Sequence, residues 1–188
     1  MSRTRISVEL RQRVMENGRF RCGYCLTSQY IIGPLLEIDH YIPEAQDGSS
    51  TEDNLCVACP MCNSHKADRI SATDPDTATV QPLFNPKNDR WNEHFTWIED
   101  GTVMQGLTPI GRATVAALQV NHPDAVHARR LWVSAGWHPP NDGTQLGIRR
   151  KHTRVNSLER VSRSNYFNGS RLCIGTPGPE SSDQNSKC

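Results

Sequence analysis

The chain has 188 residues, 36% of them hydrophobic and 22% charged, with a formal net charge of +1. That length fits one globular domain with an appendage. No run approaches the roughly 18 apolar residues of a membrane span, and the N-terminus has no apolar stretch of signal type, so a cytoplasmic protein with no membrane partner is expected. In a reducing compartment the seven cysteines read as metal ligands rather than disulfides. Charge is unevenly spread: residues 1–21 hold six Arg against two Glu, and residues 139–188 hold eight Lys or Arg against four acids. Basic ends around an acidic middle suit a polyanionic partner, and equally suit two solvated surfaces.

Ser7 is a helix N-cap, followed by a helix over Val8–Glu16 that closes at Asn17-Gly18, with Ile6, Leu10 and Val14 forming one apolar stripe. Cys22-Gly-Tyr-Cys25 and Cys59-Pro-Met-Cys62 come next. Two thiolates two residues apart can grip one Zn²⁺ from a tight turn, and two such pairs close a four-cysteine site of structural type. The 33 residues between the pairs exceed the usual zinc-ribbon spacing, so something folded sits between them. Cys56 offers a competing pair with Cys59; Cys59 and Cys62 are preferred because Cys62 then adjoins a helix starting at Asn63.

Between the pairs, Leu35–Ile42 reads as a strand, Glu44–Asp53 as a loop with an Asp47-Gly48 turn, and Asn54–Val57 as a second strand. The helix from Asn63 toward Ile70 carries His65, Lys66 and Arg69 on or near its surface. Strand, loop, strand and helix with zinc stapling the ends give a small ββα unit of the α+β class, in which the metal contributes folding energy directly. Within it, His40 can take a proton from water near neutral pH, and Asp39 is a hard ligand suited to Mg²⁺ or Mn²⁺. Adjacent strand residues face opposite ways, so a bend near Pro43 is expected if both serve one spot.

The arrangement Cys…Cys…Asp39-His40…Asn54…C-x-x-C-Asn63-x-x-Lys66 resembles the HNH endonuclease family over about Arg19 to Ile70. The resemblance implies a ββα-metal active site that hydrolyses DNA phosphodiesters, with RNA open as the alternative substrate. By it, His40 is the general base and Asn54 orients its ring through a backbone or side-chain hydrogen bond. One Mg²⁺ or Mn²⁺ is held by Asp39 and Asn63; many members have His at the latter position, and His65 is the rival ligand. Lys66 falls on the family's usual helix lysine and, with Arg69, is expected against the substrate backbone. The stretch from Pro82 to Pro140 also looks like the C-terminal region of small stand-alone bacterial members. Two other readings stand beside this one: a catalytically silent zinc module that binds nucleic acid, and a nuclease active only with a partner.

Beyond the centre, Ser71–Asn88 reads as a connecting loop. Trp91–Ile98 reads as a strand, Asp100-Gly101 as a hairpin turn and Thr102–Leu107 as its return. Thr108-Pro109 caps a helix running to Val120, and Pro123-Asp124 opens another reaching about Ala135. Trp97, Trp132 and Trp137 are packing residues, His94, His127 and His138 are surface or core residues rather than ligands, and Arg129 and Arg130 read equally as DNA contacts and as ordinary helix-surface charges. The expected division is a nuclease domain over 1–70, a supporting hairpin and helices over 71–140, and a disordered tail over 141–188.

Overall fold

Ser7 Oγ accepts a hydrogen bond from Leu10 N at 3.1 Å and starts α1 (Val8–Asn17), which ends at Gly18 as its sequence predicts. The computed structural model describes residues 6–140; the tail expected from residue 141 lies outside the described residues. A helical turn, α2 (Gln29–Ile32), follows the first cysteine pair. β1 (Glu37–His40) and β2 (Leu55–Ala58) then pair antiparallel, with Asp39 opposite Cys56 and His40 opposite Leu55. α3 (Pro60–Lys66) completes the ββα unit.

Several boundaries differ from expectation. β1 is shorter than Leu35–Ile42, because Leu35 is solvent-exposed and β2 offers only four residues to pair with. α3 begins three residues before Asn63: Cys59 is its N-cap and Pro60 takes the first helical position, where its missing N–H costs nothing. It also stops at Lys66, as Ala67 turns the chain out with φ +50°, so Arg69 lies beyond the helix.

The stretch expected as loop holds a small antiparallel hairpin, β3 (Ser71–Thr73) with β4 (Val80–Pro82). Strands of three residues carry too little alternation to be read from pattern. Trp91–His94 forms a helical turn, α4, rather than the start of a strand, and β5 (Phe95–Ile98) pairs with β6 (Val103–Gly106) across the Asp100-Gly101 corner. α5 (Pro109–Ala117) and α6 (Pro123–Ser134) begin at the expected Thr108-Pro109 and Pro123-Asp124 signals. One hydrophobic cluster joins Val14 of α1, the cysteine knuckles and β2 to Phe84, Phe95, Trp97, Met104 and Val120. No helix among the described residues is long and apolar enough to cross a membrane.

Candidate metal centre and catalytic cleft

Cys22, Cys25, Cys59 and Cys62 come together with all four sulfurs within 4.8 Å of one another, and all four are buried. Cys25 Sγ and Cys59 Sγ are 3.7 Å apart, against about 3.8 Å for two thiolates on a tetrahedral Zn²⁺ with Zn–S bonds of about 2.3 Å. The donor set, its geometry and its dryness fit zinc. The local chain explains the convergence. Gly23 N donates to Val57 O of β2 at 2.7 Å, and a Cβ on Gly23 would lie 2.6 Å from Pro86, so glycine lets the first knuckle sit between β2 and Pro86. Cys59 Sγ accepts from Cys62 N at 3.5 Å, capping α3 with a prospective ligand. Burial pushes the Cys22 thiol up, whereas hydrogen bonds, from Cys22 first and then from Cys59 and Cys62, hold Cys25 low.

Cys56 stays out of the cluster. Its sulfur meets Tyr24 Oη at 3.7 Å and Asp39 Oδ2 at 3.9 Å, and burial pushes its thiol up to about 12. It is an inert core residue on β2.

The opposite side of the ββα unit is polar. Glu37 and Asp39 share one face of β1 and both meet α3: Glu37 accepts a short hydrogen bond from the Asn63 amide, and Asp39 Oδ1 accepts from Lys66 Nζ at 3.3 Å. Asn63 and Lys66 are three residues apart and so occupy one face of the helix. Asp39 Oδ2 accepts from Tyr24 Oη at 3.0 Å. Burial pushes the Asp39 carboxyl up, while the Lys66 ammonium and the Tyr24 hydroxyl pull it back.

Lys66, expected on the surface, is instead fully buried, with Nζ also donating to His40 O at 2.7 Å. Ending α3 at Lys66 turns this side chain under β1, where a charge must find partners. Arg69 is exposed, and its guanidinium donates to Lys66 O at 3.4 Å and Ala117 O at 3.1 Å, tying α3 to α5. His65 Nδ1 sits 2.8 Å from Met61 O in its own helix and must carry the proton to bond a carbonyl; it turns away from β1.

His40 Nε2 lies 2.8 Å from Ser50 Oγ, and Ser50 Oγ donates to Glu44 Oε1 at 3.3 Å. Glu44 Oε1 is itself 4.0 Å from the imidazole. Asn54 does not bond the ring, contrary to the expectation for it. Its Oδ1 accepts from Ile42 N at 2.8 Å, and its Nδ2 donates to Ile42 O at 2.8 Å and Ser49 O at 2.9 Å. Asn54 therefore staples the loop to the end of β1, and the loop presents Ser50 to His40. Gly48 allows that closure: a Cβ there would fall 1.8 Å from Ile42 O. Glu37, Glu44, Ser50 and Tyr24 escaped the sequence reading, because no short spacing links them to the residues they touch.

A ββα unit closed by four thiols, with a histidine at the end of its first strand, is the framework of a zinc-stapled ββα domain. Residues 22–69 match the family model described as HNH endonuclease. No curated protein and no solved structure matches the chain significantly. The domain fits nucleic-acid chemistry.

Proposed function

We propose that this domain is a metal-dependent endonuclease centre hydrolysing DNA phosphodiester bonds, in a protein of the cytoplasm. The observation that supports the reading best is the His40–Ser50–Glu44 chain. With the Ser50 hydroxyl donating its hydrogen bond to Glu44, its oxygen can only accept from His40. The imidazole then carries its proton on Nε2, leaving Nδ1 as the open lone pair. A neutral ring anchored at one nitrogen and open at the other is what a general base needs. His40 Nδ1 takes a proton from water as the water oxygen bonds to phosphorus, and the bond from phosphorus to the leaving alkoxide breaks.

A hard divalent cation, Mg²⁺ or Mn²⁺, would be held by Asp39 and Asn63, with Glu37 as an added carboxylate. When bound it supplies Lewis-acid stabilisation of the scissile phosphate. The donors fit such an ion because all are oxygens. Asp39 offers about four lone-pair positions and commits three of them, to Tyr24, Lys66 and the Cys56 thiol. Asn63 suits this role better than His65, which faces its own helix. Lys66 acts from beneath the cleft through Asp39, and Arg69 offers its remaining donors to the substrate backbone.

The test is plasmid nicking by the full chain with Mg²⁺, Mn²⁺ or EDTA, beside His40→Ala. The expected result is metal-dependent nicking that falls roughly 10²–10⁴-fold in the variant while its zinc content is unchanged. Equal cleavage by both proteins would remove His40 from the mechanism. A second reading, a silent nucleic-acid-binding module, has the Lys66–Asp39 pair in its favour, since an ammonium already neutralises the carboxylate offered to the cation. It predicts zinc-loaded wild type that retards DNA on a gel and never nicks it.

A further inference from the structure

Arg129 lies in α6, beyond the span of the HNH match, and contrary to its expected place on the helix surface it is 1% exposed. Its guanidinium donates to Thr102 O at 3.0 Å, to Val120 O at 2.6 Å and to Asn121 Oδ1 at 3.4 Å. Its Cζ stands 5.2 Å from the centroid of the Trp97 ring. Every one of these partners is neutral. A guanidinium cannot shed its proton to escape burial, so a dry site must supply opposite charge or bear the full cost of desolvation. Burial disfavours its charge, and the charges that act most strongly to favour it are those of Cys25, Cys62, Cys59 and Cys22. Arg129 and Cys59 line the same cavity of about 260 Å³, with Thr27, Met61 and Trp132.

The thiols have the complementary problem. Four thiolates around one Zn²⁺ carry two net negative charges, and the cluster is as dry as Arg129. Each charge would be costly to bury alone, and together they offset one another through an interior of low dielectric.

We propose that Arg129 is the buried counter-cation of the four-thiolate zinc centre, a positioning residue that favours the charged, metal-loaded state and makes α6 part of that centre. The contact is one of field rather than of ligation, with the three carbonyl acceptors fixing where the charge sits. The HNH span is then electrically incomplete by itself, and the helices after it contribute to metal retention as well as to packing.

The test uses the full-length, zinc-loaded protein and measures zinc transfer to an excess of a chromogenic chelator, together with the thiolate-to-metal charge-transfer band after Co²⁺ substitution. R129Q keeps donors and drops the charge; R129K keeps the charge and loses the planar fork. V120A loosens the same packing, since Val120 is fully buried beside Arg129, and leaves the charge alone. The expected result is zinc loss about tenfold faster or more in R129Q, in the range found for outer-shell partners of metal sites. R129K should stay within a few-fold of wild type, with a displaced cobalt band, and V120A should match wild type in both readouts. Equal retention by R129Q and wild type would overturn the assignment, as would equal loss by R129Q and V120A or by R129Q and R129K. Should R129Q fail to fold, R129K decides: zinc loss about tenfold faster or more despite the retained charge means that Arg129 only straps the backbone.

Discussion

The two ends of α3 serve opposite demands. At its N-terminus Cys59 and Cys62 complete a buried thiol cluster, with the four cysteines between 0% and 5% exposed. From the next residue onward, Asn63 and Lys66 face β1 across a polar cleft whose histidine side chain is 15% exposed and whose Glu37 is open to solvent. A structural metal wants all its positions filled and sealed, whereas a reacting centre must admit water and substrate. Seven residues of helix are too few to hold their shape alone. The open cleft therefore inherits its geometry from the closed end.

The sharpest way to break this dependence is to strip the zinc. Exposing the full chain to a strong chelator should abolish its cooperative thermal transition, and added Zn²⁺ should restore it, because structural zinc contributes roughly 10–16 kcal/mol in comparable small sites. Cys62→Ser should behave like the stripped protein even with zinc present. Survival of the melting transition and of nicking after zinc removal would show that the two ends are independent.

A smaller effect isolates the cleft. Lys66→Met leaves Asp39 buried without its cation, and breaking such a pair from one side costs about 3–5 kcal/mol. The urea midpoint of the zinc-saturated protein should fall accordingly, and the double variant Lys66→Met, Asp39→Asn should recover much of the loss. A Lys66→Met midpoint equal to that of wild type would mean that the ammonium contributes nothing to holding β1 on α3.

The same contrast explains what was legible in the chain. The thiol pairs, the Ser7 cap and the order of Asp39, His40, Asn54 and Asn63 are local signals, so the four-cysteine cluster, α1 and the ββα order could be read directly. The true start of α3 was also written locally, in Pro60 after a capping Cys59, although a cysteine is an unusual cap and hid it. Lys66 and Arg129 were not legible. Charged residues are almost never fully buried unless paired, and their partners lie far off along the chain, Asp39 27 residues away for Lys66. Ser50 and Glu44 belong to a loop without periodicity, so their approach to His40 depends on the Asn54 staple, which only the closed loop reveals.

Acid should separate the two ends again. His138 is buried edge-on to Trp97 at 4.5 Å, and burial first, then the Arg129 charge, lowers its pKa to about 4. In the unfolded chain the same imidazole titrates near 6.5. Between those values the unfolded chain binds the extra proton, so stability is full above pH 6.5 and is lost as pH falls through 4, by on the order of 3 kcal/mol. Melting temperatures from pH 7 to 4 should fall less steeply for His138→Phe than for wild type. Parallel curves would mean that another group carries the acid sensitivity.

Ser50→Ala tests the cleft most gently. It deletes a neutral hydrogen bond worth about 1 kcal/mol and leaves the Asn54 staple intact, so zinc content and melting temperature should not move. The imidazole then loses the acceptor that fixes its Nε2 proton, and the form with Nδ1 open becomes less populated. At about 1.4 kcal/mol per decade, nicking should slow roughly fivefold, well short of the effect of His40→Ala. No change at all would mean that Glu44, 4.0 Å from the ring, closes in to hold the imidazole unaided. A loss as deep as that of His40→Ala would place Ser50 among the reacting groups and overturn its role as the support of the base.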